Sequence, residues 1–176
     1  MLQKLYPNMY VPSILDINPD ELQKNGIRFL LLDLDNTIIP RDADQFAPEI
    51  IHWLQSLLDR GFKLCVVSNN NNMRVNNLLE PLQIPCVVRA VKPLRQAFLR
   101  AMELLDADTA STAVVGDQIF TDILGGNRLG LFTILVVPMQ GKEFWATKLI
   151  NRRLEKLVLK RILRRVSHKD KKYYVK

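Results

Sequence analysis

The chain has 176 residues, 48% of them hydrophobic and 24% charged, a globular composition at a length that suits one domain plus an appendage. Its two cysteines, Cys65 and Cys86, sit inside apolar runs, which excludes a disulfide scaffold and a four-thiolate zinc site and fits a reducing compartment. The net charge is +7, yet 13 of the 25 basic residues and only 3 of the 18 acidic ones lie from Lys142 onward. Residues 1–141 therefore carry 12 basic against 15 acidic side chains. This split predicts a body over 1–141 and a basic tail over 142–176, the tail needing a partner of opposite sign. The opening MLQKLYPNMYVPS lacks the apolar core of a signal peptide, and no uninterrupted apolar run reaches the length of a membrane-spanning helix.

Along the body, continuous apolar runs predict strands buried on both faces at 27–32, 62–68, 85–88, 112–115 and 132–137. Amphipathic stretches between them predict helices over 48–60, 71–79, 93–105 and 120–129, with Gly61, Gly116 and Gly130 at the boundaries. The alternation implies a three-layer, Rossmann-like parallel sheet of about five strands with helices on both faces. Ligands of such sheets bind beyond the carboxyl ends of the strands, so the polar residues there are the first candidates for chemistry.

The first strand ends in Asp33-Leu34-Asp35-Asn36-Thr37. Two buried carboxylates this close repel, and a divalent cation or a shared proton relieves them; a strand-ending turn capped by Asp and Asn is the structural alternative for an isolated pair. The second ends in Ser68-Asn69-Asn70, where a hydroxyl and backbone N–H groups can hold a phosphate oxygen or cap a helix. Beyond the third stands Lys92-Pro93, a cation just outside a helix start, which is either solvated or set against a bound anion. The fourth leads through Gly116 to Asp117 and on to Asp122, a metal-ligand candidate followed by a residue that can also serve a helix dipole.

Each signal is weak alone, but the four stand in order, one per strand end. Together they resemble the haloacid dehalogenase-like phosphatases, whose pattern is DxDxT, then Ser or Thr, then Lys, then an acidic GDxxxxD loop. The resemblance covers residues 27–137, and LLDLDNTIIP, VVSNN, AVKP, VVGDQIFTDILGGNRLG and the opening LYPNMYVPSI are similar to the YqeG-type branch (subfamily IIIA). That branch is related to the phosphatidylglycerophosphate phosphatases of yeast mitochondria and plants.

The resemblance implies an Mg²⁺-dependent phosphomonoesterase. In it Asp33 is the nucleophile that forms an aspartyl-phosphate, and Asp35 is the general acid and base. Asp33, the backbone carbonyl of Asp35, and Asp117 hold the metal. Ser68 with the backbone of Asn69 binds the phosphoryl group, Lys92 offsets its charge, Thr37 supports the loop, and Asp122 orients Lys92 or a metal-bound water. His52 and His168 stand at no strand end and are not expected to act. Asp35 and Ser68 are separated by 32 residues, Ser68 and Lys92 by 23, which leaves no room for the cap domains inserted at these places in the superfamily. An open site suits a phosphate carried on something large, such as a lipid. The implied substrate is phosphatidylglycerophosphate on the inner face of the cell membrane of a cytoplasmic enzyme; a soluble ester, a phosphoprotein, or a non-enzymatic role in binding RNA or ribosomes are the alternatives.

The tail predicts a helix over 144–166 with apolar residues at four-residue spacing. Trp145, Lys148, Arg152, Arg153, Lys156, Lys160 and Arg164 are its candidate membrane-facing residues, in the pattern of an interfacial helix on an anionic bilayer. Packing of the apolar stripe on the sheet, RNA binding and a dimer seam stay open beside it, and the oligomeric state is not legible.

Overall fold

The computed structural model describes residues 2–70, 73–139, 158–160 and 173–174. In chain order the elements are β1 (Met9–Val11), α1 (Pro19–Lys24), β2 (Phe29–Leu32), α2 (Pro48–Asp59), β3 (Lys63–Val67), α3 (Met73–Leu79), β4 (Cys86–Val87), α4 (Arg95–Leu105), β5 (Thr112–Gly116), α5 (Leu124–Leu129), β6 (Phe132–Val136) and β7 (Tyr173–Tyr174). The strands form one sheet in the order β4-β3-β2-β5-β6-β1-β7. Six are parallel, and β7 runs antiparallel to β1.

The sheet is thus wider than the five strands expected. The added parallel strand, β1, has three residues between Pro7 and Pro12, too short to show a periodicity. It forms because Met9 pairs with Ile134 and Val11 with Val136 along β6, a contact far away in sequence. β7 lies in the charged tail, where composition hides two tyrosines that pair with Met9 and Tyr10.

Alternation along the strands builds a core on each face. Leu30, Leu32, Leu64, Val66, Ala113 and Val115 face one cluster, which α2 completes with Ile50, Trp53, Leu54 and Leu57. Leu31, Cys65, Val67 and Val114 face the other, completed by Ala97, Phe98, Ala101, Met102 and Leu105 of α4. Each fully buried leucine or phenylalanine adds roughly 1.5–3 kcal/mol of transfer free energy. Burial pushes the Cys65 thiol up to about 12, so this cysteine is an inert core residue. The helices keep their predicted places with trimmed ends. The stretch over 120–129 divides into a π-helical turn, Ile119–Ile123, and α5.

The chain moves outward from β2 in both directions, to β3 and β4 on one side and to β5 on the other. The strand order therefore reverses between β2 and β5, the place where open parallel sheets form a crevice at their carboxyl ends. Of the predicted tail helix, residues 158–160 are described and helical. Val158 and Leu159 pack against a cluster of Tyr6, Ile119, Ile123 and Leu135, while Lys160 is exposed. Trp145, Lys148, Arg152, Arg153, Lys156 and Arg164, like His168, lie outside the described residues. Among the described residues no helix is long and apolar enough to cross a membrane.

Candidate active site

Leu34 anchors the loop after β2, fully buried in the core with Ile38 and Ile39. Its carbonyl accepts N–H bonds from Thr37, Ile38 and Ile39, and Asn36 takes a left-handed conformation, φ 61°, which asparagine tolerates better than most residues. With Leu34 turned into the core, its neighbours Asp33 and Asp35 are turned away from it, as alternate residues of an extended segment are. Asp33 is buried and Asp35 half-buried.

One cation joins the separate strand ends. Lys92 Nζ donates to Asp33 Oδ1 and to Asp122 Oδ1, each at 2.6 Å. All three side chains are buried, with Asp122 only 1% exposed. Lys92 is therefore not a solvated lysine at a helix start. The backbone holds it in place: its N–H donates to Asn69 Oδ1 at 2.8 Å, the Ala90 N–H to the Ser68 carbonyl, and the Arg89 N–H to the Asn70 carbonyl. The loops after β3 and β4 are thereby bound to one another, and the Lys92–Pro93 peptide bond between the second of them and α4 is cis.

Asp122 is fixed from its other side. Its Oδ2 accepts from the Gln118 N–H and the Thr121 hydroxyl, both at 3.2 Å. Burial works against the Lys92 ammonium, yet Asp122 and then Asp33 outweigh it and hold the group above the ordinary lysine range. The Asp122 carboxyl is pushed up to about 6, first by burial; Lys92 pulls the other way, and the like charge of Asp33 adds to the rise. One ammonium shared by two carboxylates does not fully compensate either.

Asp117 completes the group. Carboxylate oxygens of Asp33, Asp117 and Asp122 lie within 4.8 Å of one another. Three carboxylates against the single ammonium of Lys92 leave a formal charge of −2, and every donor is a hard oxygen. This donor set fits a hard divalent cation rather than a thiophilic one. The Asp35 side chain is outside the set and instead accepts from Asn70 Nδ2 at its Oδ2. The Thr37 hydroxyl donates to Asp33 Oδ2 at 3.3 Å.

The Ser68 side chain is 1% exposed, and its Oγ accepts the Asn70 N–H at 3.1 Å. The side chain of Asn69, whose backbone is the part expected at the phosphate, is exposed and braces Lys92. The residue that sequence reasoning passed over is Asn70. Its only signal was its place after the second strand, in Ser68-Asn69-Asn70; its bond to Asp35 spans 35 positions. His52 is exposed on α2, away from this cluster.

Gly116 makes the cluster possible. A Cβ there would stand 2.3 Å from Asp122 Cγ and 2.5 Å from its Oδ2, closer than packed atoms approach. Gly116→Ala is expected to displace Asp122 from Lys92, lowering stability by about 1–3 kcal/mol as overpacking does and slowing turnover as well. Thermal denaturation and a phosphate-release assay of the purified variant check both effects.

A parallel sheet with carboxylates and one lysine at its switch point is the frame of a phosphoryl-transfer enzyme, and comparison with known proteins agrees. The chain belongs to the haloacid dehalogenase-like hydrolases, whose family model matches residues 3–130. It is 38% identical over 166 residues to the protein named probable phosphatase YqeG of Bacillus subtilis (strain 168), covering 94% of this chain and 96% of that one. It is 25% identical over 177 residues to phosphatidylglycerophosphate phosphatase 1, chloroplastic/mitochondrial, of Arabidopsis thaliana, covering 93% of this chain and 49% of that longer one. Among solved structures, an uncharacterized protein from Listeria monocytogenes serotype 4b superposes with a TM-score of 0.53 at 16% identity, over 76% of this chain and 99% of that one; this last likeness concerns the fold alone. The enzyme is a haloacid dehalogenase-type phosphatase, a phosphoric monoester hydrolase.

Proposed function

We propose that the enzyme hydrolyses its ester through an aspartyl-phosphate on Asp33, and that the ester is a lipid phosphate of the phosphatidylglycerophosphate type, met at the inner, anionic face of the cell membrane. The observation that carries the chemistry is the Lys92 ammonium shared by Asp33 and Asp122 beside Asp117. A nucleophilic carboxylate has to approach an anionic phosphoryl group, and a buried cation already bound to it reduces that repulsion.

Asp33 attacks phosphorus, and the bond to the alkoxide breaks as Asp35 gives that oxygen its proton. Asp35 then takes a proton from water, the water oxygen attacks phosphorus, and inorganic phosphate leaves with Asp33 restored. Asn70 orients the Asp35 carboxyl for both transfers. Ser68 and the backbone N–H of Asn69 hold the phosphoryl oxygens, while the Asn69 side chain keeps Lys92 in register. Thr37 and Asp122 fix Asp33 and Lys92 respectively.

Mg²⁺ is the cation that the acidic cluster would hold, through Asp33, Asp117 and the backbone carbonyl of Asp35, with the Asp122 carboxylate beside them. When bound it supplies positive charge to the phosphoryl oxygens. Chelation with EDTA is expected to abolish phosphate release and Mg²⁺ to restore it, while Mg²⁺ at 100-fold over its dissociation constant raises the unfolding free energy by about 2.7 kcal/mol. Undiminished turnover in EDTA overturns the cation assignment.

Two observations favour a lipid over a small metabolite. The intervals from Asp35 to Ser68 and from Ser68 to Lys92 are occupied by α2 with β3 and by α3 with β4, so neither interval holds an inserted domain that could cover the site. The relative from Arabidopsis thaliana carries that lipid phosphatase activity in its name. Phosphate release from phosphatidylglycerophosphate in mixed micelles, set against a panel of soluble esters, tests the reading. The expected result is a kcat/KM for the lipid above that of every soluble ester; a soluble ester that exceeds the lipid overturns the substrate assignment and leaves the phosphatase intact.

A further inference from the structure

The body is acidic on balance, with 12 basic and 15 acidic residues over 1–141. Between Glu80 and Glu103, however, stand four of those basic residues, Arg89, Lys92, Arg95 and Arg100, and no acidic one. The same stretch holds three of the seven large apolar side chains exposed among the described residues: Val91 at 60%, Leu94 at 52% and Leu99 at 46%. A soluble surface has no need of this combination, and concentrated exposed apolar area marks a contact surface.

The backbone explains how these side chains come to face outward. The loop after β4 is tied to the loop after β3 by the Arg89, Ala90 and Lys92 N–H groups. Ala90 and Lys92 are thereby turned in, each 7% exposed, and Val91 between them is turned out. Arg89 and Val91 both take left-handed conformations, φ 51° and 52°. For a β-branched valine this costs on the order of 1–3 kcal/mol and persists only where surrounding contacts over-determine it. Arg89, Val91, Leu94 and Arg100 line one shallow groove of about 260 Å³ with Val87, Ala90, Gln96 and Ala97. Its rim is the chain that delivers Lys92 to the cluster.

We propose that this groove face, presented by the 89–94 loop and the exposed side of α4, is the surface by which the enzyme docks on an anionic lipid bilayer, with Val91 and Leu94 entering the headgroup region and Arg89 and Arg100 engaging lipid phosphates. Charge complementarity selects the occupant: the groove is lined by two arginines and no acidic residue, which attracts an anionic surface, and the apolar side chains between them favour an interface over free solvent. The proposal rests on the lipid-phosphate reading and deepens it, since docking here brings the bilayer to the edge strand next to Lys92. It places a membrane contact on the body, separate from the basic tail.

The test uses the full chain and sedimentation with vesicles of phosphatidylcholine alone or with phosphatidylglycerol added, neither of which is the proposed substrate. The wild type is expected to bind the anionic vesicles and not the neutral ones. Arg89→Asn with Arg100→Gln is expected to weaken binding by about fivefold per arginine, with asparagine chosen because it accepts the left-handed backbone. Leu94→Asp is expected to abolish most of the remaining binding. Arg28→Gln, before β2 at the opposite ends of the strands, is expected to bind as the wild type does. Turnover of a soluble ester reports that each variant is folded. Unchanged binding by the groove variants, an equal loss in Arg28→Gln, absence of wild-type binding, or binding to RNA in place of vesicles each overturns the proposal. Hydrolysis of the detergent-dispersed lipid is read separately: its failure removes the substrate reading, whereas its success without vesicle binding removes only the docking surface.

Discussion

Asp33→Asn is expected to lower phosphomonoester turnover by roughly four orders of magnitude or more, the scale on which enzymes lose rate when a nucleophile is removed, while leaving the fold intact. An asparagine keeps the shape of the side chain and an oxygen that can accept from Lys92 Nζ, now 2.6 Å from Asp33 Oδ1, but an amide does not form the acyl phosphate. The substitution also removes one of the carboxylates gathered around a single ammonium. In EDTA the variant is therefore expected to melt at or above the wild-type temperature, because Asp122 gains a larger share of Lys92 and loses a repelling neighbour. Its melting temperature is also expected to respond less to Mg²⁺. Phosphate release and thermal unfolding, each with and without Mg²⁺, check the set. Wild-type turnover by the purified variant excludes Asp33 as nucleophile; lost activity with a collapsed melting temperature assigns it a structural role instead.

The division between what the sequence reveals and what it conceals follows the range of the interactions. Asp33, Ser68, Lys92 and Asp117 could be singled out because each lies at the end of an apolar run or within a few residues beyond it, and a strand end is a local signal. The strands of the sheet centre were legible for the same reason, since burial on both faces demands unbroken apolar runs such as FLLL and KLCVV. β1 was not, because its three residues pair only with partners 125 or more positions away. Lys92, taken alone, reads as an exposed lysine; its burial becomes intelligible only when Asp33, 59 residues off, and Asp122, 30 residues off, are brought to it. The two asparagines show the same limit. Both follow the same strand, yet Asn69 braces the lysine and Asn70 the Asp35 carboxyl, and one position along the chain does not determine which.

Asp122 is the residue whose meaning changes most between sequence and structure. By position it belongs to the start of a helix, where an acidic side chain complements the dipole. In the fold it sits in a π-helical turn, Ile119–Ile123, behind a glycine that leaves no room for a side chain of its own. Wider turns of this kind recur at functional sites. Here the turn directs a carboxylate inward, against the lysine, at the position where the sheet order reverses.

The consequence is an expected loss for Lys92→Met larger than for any surface change in the protein. Methionine matches the apolar stem of lysine and removes the charge, which leaves Asp33 and Asp122 facing one another in a buried site with no cation between them. Breaking a buried ion pair from one side costs about 3–5 kcal/mol, and a domain of this size loses about 2–4 °C per kcal/mol. Phosphate release is expected to fall at least a thousandfold, because charge on the phosphoryl group is then unopposed by the lysine. Stability and catalysis separate in the double variant Lys92→Met with Asp122→Asn. Removing the orphaned Asp122 charge is expected to restore most of the lost melting temperature, since the two residues contact directly and their effects are therefore not additive, while turnover stays at the level of the single variant. A double variant as unstable as Lys92→Met alone shows that the lysine stabilises the fold by other means than compensating Asp122. A double variant that regains turnover shows that the ammonium is dispensable to the chemistry.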